Sequence, residues 1–152
     1  MPSFRCTTEI GAAMEAVFDL ARDIDAHTRS LADSNERAVA GVTAGRIELG
    51  ESVTWRARHF GLPFTMTSAI VEMTPPHSFT DEQVRGPFKR FHHVHTFAPH
   101  SSGTLMVDEV TFDSPLGPLG RLVNRAVLTT YLRRLIEQRN AALKSEAERA
   151  SR

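Results

Sequence analysis

The chain has 152 residues, and its 18 basic and 18 acidic side chains give a formal net charge of zero. That length suits one domain with a real hydrophobic core, and the balanced charge lacks the basic footprint of a nucleic-acid binder. Cys6 is the only cysteine, which excludes an internal disulfide, and no apolar run reaches signal-peptide or membrane-spanning length; we expect a cytoplasmic protein, monomer or homodimer, with no nucleic-acid partner and no membrane span.

Residues 4–10 alternate like a strand. Met14, Val17, Phe18, Ala21 and Ile24 then recur at helical spacing, and a second short helix is expected over 26–32 with Asp25 as its cap. From Glu36 to Asp113 the helical period gives way to strands. The first covers 38–42, and a loop carrying Gly45 and Gly50 follows it. Four turn signals come next, at 60–63, 74–77, 85–88 and 100–103, each with the Gly, Pro or Ser that reverses a chain cheaply. The segment 115–120, Pro-Leu-Gly-Pro-Leu-Gly, is a turn-rich entry into a last helix. Its stripe is Leu122, Val123, Ala126, Val127, Tyr131, Leu132, Leu135, Ile136 and Leu143. A charged tail is expected to fray beyond residue 147. The expected fold is α+β of the helix-grip kind: a curved antiparallel sheet of six to seven strands wrapped around a long C-terminal helix, with two short helices after the first strand. One domain covers 1–147.

Each turn also fixes which side chains share a face, because faces alternate along a strand and directly paired residues lie together. Pairing His59 with Phe64, Thr74 with His77, Arg85 with Lys89 and His100 with Gly103 gathers one set. It holds Val53, Trp55, Ala57, Phe64, Met66, Ser68, Ile70, Phe79, Asp81, Gln83, Phe91, His93, His95, Phe97, Met106, Asp108, Val110 and Phe112. The other set is rich in charge and threonine and belongs in water. A slip of one residue at any turn scrambles this division, so the agreement of four turns is informative.

The inner set is not purely apolar. The same register puts His95 opposite Asp108 and Asp81 opposite His93. Such groups are readable as a satisfied buried network, as a polar patch that orients a ligand in a cavity, or as an acid/base pair with His95 and Asp108 as its members. A metal reading needs a third ligand beside His93 and His95, which Asp81 or Asp108 can supply; with no CxxC or HExxH present, no metal and no cofactor is expected. No Gly-x-Ser-x-Gly elbow is present, which removes the usual serine-hydrolase signature. Trp55 is either core filler or cavity wall. Tyr131 can turn its hydroxyl inward or simply pack. Arg139, beside the stripe, can cap a cavity mouth or pair with a glutamate.

Several segments carry a resemblance. Ile10-x-Ala12-x-x-Glu15-x-Val17-Phe18 is similar to the first-helix opening of the START-like (SRPBCC) superfamily, with Ala13 where that family usually has proline. The stretch 53–59, Phe79-x-Asp81-x-Gln83-x-x-Gly86-Pro87-Phe88, His93-x-His95-x-Phe97 and the 115–120 segment resemble its small bacterial cyclase/dehydrase-like members. The superfamily includes polyketide cyclases, the major birch pollen allergen and lipid-transfer START domains. The resemblance covers nearly the whole chain and implies the helix-grip fold. It supplies no activity, and no catalytic residues of true polyketide cyclases match here position by position.

The expected function is binding of a small, mostly hydrophobic ligand with a polar end. Trp55, Phe64, Met66, Phe91 and the helix stripe would hold its apolar part, and Ser68, Asp81, Gln83, His93, His95, Asp108 and Tyr131 complete the site. A cyclase, aromatase or dehydratase acting on a polyketide-like substrate through His95 and Asp108 is the alternative, and a co-chaperone or interaction module the third.

Overall fold

A computed structural model describes residues 1–113 and 125–152. The turn-rich segment 115–120 and the stripe residues Leu122 and Val123 lie outside the described residues. In chain order the elements are β1 (Ser3–Ile10), α1 (Met14–Ala21), α2 (Ile24–Ser30), a short 3-10 turn (Ala32–Ser34), β2 (Arg37–Gly41), β3 (Ser52–His59), β4 (Leu62–Thr74), β5 (Ser78–Arg85), β6 (Phe91–His100), β7 (Gly103–Phe112) and α3 (Arg125–Ala150). The strands form one antiparallel sheet in the order β1-β7-β6-β5-β4-β3-β2. This is the helix-grip arrangement, with α3 packed against β1, α1 and α2.

Two of the four turns, at 85–88 and 100–103, give the expected pairing. Phe79 lies opposite His95, Asp81 opposite His93 and His95 opposite Asp108. Bulges in β4 absorb a one-residue offset at the 74–77 turn and restore Ile70 opposite Asp81 and Ser68 opposite Gln83. The first hairpin is tighter than expected. His59 pairs with Leu62 rather than Phe64, because Phe60 and Gly61 both adopt positive φ, 55° and 75°, and close a two-residue turn. The shift is two residues, so no side chain changes face.

Two local expectations are corrected. The second helix starts at Ile24, and its cap is Asp23, whose carboxylate accepts the Ala26 N–H at 2.9 Å. Asp25 is displaced from that role and accepts the Gly45 N–H instead. At the other end, the residues expected to fray stay helical through Ala150. Ala147 is buried in the core, and Glu148 accepts the Gly11 N–H at 2.8 Å, which ties the last turns of α3 to the end of β1.

The apolar interior falls into two clusters. One centres on Phe18, Phe79, Phe97, Met106 and Leu143. The other centres on Phe4, Phe88, Phe91, Val110, Phe112 and Leu128. A band of polar residues separates them. On β6 the inward order is Phe91, His93, His95, Phe97; on β7 it is Phe112, Val110, Asp108, Met106. The helix repeats the pattern, with Arg139 and Asn140 buried between Ile136 and Leu143.

The backbone of β1 passes so close to the β6–β7 turn that a Cβ on Gly103 would lie 2.2 Å from the Ile10 carbonyl oxygen. Gly103→Ala is therefore expected to lower the unfolding free energy by about 1–3 kcal/mol, measured as a reduced urea midpoint. An unchanged midpoint would show that β1 moves aside at no cost.

Candidate functional site

Asp108 has no solvent exposure. Burying a carboxylate is tolerable only when its lone pairs are occupied by donors, and here donors arrive from β6 and α3. Oδ1 accepts from His93 Nε2 at 2.7 Å and from an Arg139 guanidinium N–H at 3.1 Å; Oδ2 accepts from the Asn140 amide at 2.7 Å. Arg139 also donates to the Asn140 side-chain oxygen at 3.1 Å and to the Ala21 carbonyl at 3.3 Å. Burial by itself would push Asp108 up, but the Arg139 charge and the histidine hydrogen bonds hold its carboxyl well below the usual range.

The two histidines stack on each other with ring centroids 3.7 Å apart, and His95 stacks on Phe79 at 4.1 Å. Their hydrogen bonds run diagonally rather than straight across the ladder. His93, opposite Asp81, bonds Asp108, while His95, opposite Asp108, bonds Asp81 at 2.6 Å. His95 Nδ1 also lies 3.2 Å from Asp108.

The two rings titrate in opposite directions. Burial and the neighbouring His95 lower His93. Burial opposes the charge on His95 too, but the bonds to Asp108 and Asp81 outweigh it and raise that ring. The protonated form of His95 is thus favoured, with Asp81 at its Nε2 and Asp108 and Arg139 both near its Nδ1, at 3.2 and 3.4 Å. Asp81 is lowered as well, burial being overcome by the His95 bond and the nearby positive charge. Two carboxylates thus face one guanidinium and an imidazole whose protonated form they favour. His93 stays neutral, and its bond to an ionised carboxylate places its proton on Nε2. Its Nδ1 lone pair has no partner among the described residues.

Beside this network lies a cavity of about 210 Å³, larger than an engineered cavity of about 150 Å³ that takes up benzene. Trp55, Phe64, Met66, Phe91, Ser68, Asp81, His93, His95 and Tyr131 line it, together with Arg139. Two expected site residues stand elsewhere. Asp108 lies behind the histidines and does not reach the wall, so it can orient but not touch a ligand. Gln83 is consumed by the turn that follows β5, donating to the Phe88 carbonyl at 2.7 Å and accepting its N–H at 3.3 Å. Tyr131 meets His59 at 2.6 Å. Burial lowers His59 and raises Tyr131, so both stay neutral and the phenol donates to the imidazole. Trp55 is a wall, with the His27 ring tilted against it at a centroid distance of 4.3 Å.

Sequence reasoning missed Asn140; Arg139, expected either at the cavity mouth or on a glutamate, lines the cavity and pairs with Asp108. Their signal was present. They occupy the stripe position between Ile136 and Leu143, where a polar pair has to be buried. Asp81, His93 and His95 also form a candidate metal group, with ligand atoms within 4.8 Å of one another. The arrangement favours a proton over an ion: His95 and Asp81 are at the 2.6 Å of a shared hydrogen bond, closer than two ligands around a zinc ion that each bond it at about 2 Å.

A family model described as polyketide cyclase / dehydrase and lipid transport matches residues 1–148. The chain belongs to that family. Comparison with the curated proteins finds no match. Among solved structures, the protein TTHA0849 of Thermus thermophilus superposes with a TM-score of 0.80 at 22% identity, covering 99% of this chain and 100% of the other. A START superfamily protein of Mycobacterium smegmatis gives 0.75 at 14%, covering 97% and 98%. The Zhui aromatase/cyclase from Streptomyces sp. R1128 gives 0.75 at 14%, covering 99% and 96%. At these identities the likeness is one of fold, and the family's fold hosts both carriers and enzymes. No helix among the described residues is long and apolar enough to cross a membrane.

The opposed shifts make a testable pH profile. A folded His93 resists protonation, so stability falls as pH drops below about 6.5, where the unfolded ring takes up its proton. A folded His95 retains its proton, so its contribution is full below about 6.5 and is lost as pH rises through its raised value. The depressed carboxylates contribute above about pH 4 and lose that contribution on further acidification. Urea unfolding across pH 5–9 is expected to show maximal stability near pH 6.5, and His95→Asn is expected to remove the decline on the alkaline side. Asp108→Ala, which strands Arg139, is expected to cost about 3–5 kcal/mol; a loss under about 1 kcal/mol would show that water readily replaces the carboxylate.

Proposed function

We propose that this protein is a cytoplasmic binder of one small, mostly hydrophobic molecule with a polar end, held in the cavity between sheet and α3. The observation that carries this reading is the division of labour on the cavity wall. Aromatic and aliphatic side chains form most of it, and a few polar groups keep capacity that the fold does not use. The Ser68 hydroxyl has no partner among the described residues, Asp81 keeps one oxygen outside the His95 bond, and His93 keeps its Nδ1 lone pair. A largely apolar pocket with a few convergent polar groups is what a small-molecule site requires.

Native mass spectrometry of freshly purified protein is expected to show a retained small molecule that is released on denaturation, with occupancy reduced about tenfold or more in His93→Ala. Equal occupancy in that variant would remove His93 from the site. Absence of any retained or added apolar ligand would count against the reading itself.

A second reading, an enzyme of the cyclase or dehydratase type, is favoured by one observation. A neutral histidine whose tautomer is fixed by a buried carboxylate is the usual form of a general base. In this reading His93 moves the proton, Asp108 orients it, and His95 holds Asp81. Turnover of a polyketide-like substrate that survives in His93→Gln would exclude it.

A further inference from the structure

We propose that the cavity selects ligands whose polar end is an uncharged hydrogen-bond donor, a phenol above all, and rejects the carboxylate of the same skeleton. This rests on the binding reading above and specifies its ligand class. A carboxylate is held best by a cation without an anionic partner, and each cation among the described wall residues already faces a carboxylate of the fold. Arg22 bonds Asp19 through two nitrogens at 2.9 and 3.1 Å, and its remaining nitrogen bonds Glu48 at 2.6 Å and the Ile47 carbonyl at 3.1 Å. Arg139 is paired with Asp108 and gives further N–H groups to Asn140 and the Ala21 carbonyl. His95 donates to Asp81 and faces Asp108.

The carboxylate on the wall keeps spare accepting capacity. Asp81 lines the cavity, leaves 21% of its side chain accessible and uses one oxygen for His95. His93 adds a second acceptor beside it, since its proton is held on the nitrogen that faces Asp108. Two adjacent acceptors, one of them negative, accept a hydroxyl proton well. They repel a carboxylate in a space where little water is left to screen the charges. The aromatic wall suits a flat ring system next to that donor.

The test is calorimetric titration of the full-length protein at pH 7 with three ligands of one skeleton: 2-naphthol, 2-naphthamide and 2-naphthoate. Naphthol and the neutral amide are expected to bind, with naphthoate weaker than both by about tenfold or more. Asp81→Asn is expected to narrow the gap between amide and acid. The amide serves as a control within the wild type, so the question is answered even if that variant does not fold. Naphthoate binding as tightly as naphthol overturns the proposal and leaves the binding reading intact. Amide and acid equally weak also overturns it, because shape and not charge would then be excluding the larger group. Failure of all three to bind sinks the binding reading and this proposal together.

Discussion

The rest of the interior is arranged around one carboxylate that water cannot reach. Asp108 sits in the middle of β7, between Val110 on the side of one apolar cluster and Met106 on the side of the other. Its charge has to be met within the fold, and the donors that meet it fix three elements at once. His93 brings β6 into line, Arg139 fixes the axial position and rotation of α3, and Asn140 saturates the second oxygen. Apolar packing alone tolerates small slides of a helix over a sheet. A forked guanidinium and an amide bonded to the same carboxylate do not, since a shift of one residue would leave three buried polar groups unpaired. The polar band therefore adds specificity to a fold whose stability comes from the clusters on either side.

The band also sets the protonation of the cavity wall. His93 and His95 are stacked neighbours of the same residue type, yet one is pushed down and the other up. The difference lies in the partners. His95 has carboxylates near both nitrogens, which favours its proton; burial and the neighbouring His95 disfavour one on His93. The result is two stacked imidazoles on the cavity wall, one biased toward the neutral form with a defined tautomer and the other toward the protonated form. Both the carrier and the enzyme readings use that same asymmetry, which is why the geometry alone admits either.

Much of the fold was legible in the sequence because a strand's period of two makes errors visible. The four turns had to agree on one inner face, and even the tighter first hairpin moved the pairing by two residues and left every face in place. The side-chain partners were less legible. Backbone register puts Asp81 opposite His93 and His95 opposite Asp108, but an imidazole is long enough to reach the diagonal neighbour, and the stacking of the two rings favours that exchange. Gln83 looked like a cavity residue by parity; its amide was drawn off by the free N–H and C=O of Phe88 in the turn beside it, a demand that only the three-dimensional path of the turn reveals. Arg139 was legible as a residue beside the stripe, but its carboxylate partner on β7 was not, and Asn140 carried no charge to draw notice. Their spacing between Ile136 and Leu143 nevertheless places them on the buried face, where an inner carboxylate such as Asp108 can take more than one donor.

The distinction between groups that are fully used and groups that are half used separates stability from recognition here. Asp108, Asn140 and Arg139 have their polar capacity turned toward one another, so substitutions there act on the folded state. Asp81 and His93 each give one side to the same network and keep the other for the cavity. A ligand donor that bonds Asp81 would compete with His95 for negative charge, weakening the hold on the His95 proton. Occupancy and the protonation of the buried pair are therefore linked through a single carboxylate: whatever binds at Asp81 is felt at His95, and through it at Asp108, within two hydrogen bonds of the helix that closes the cavity.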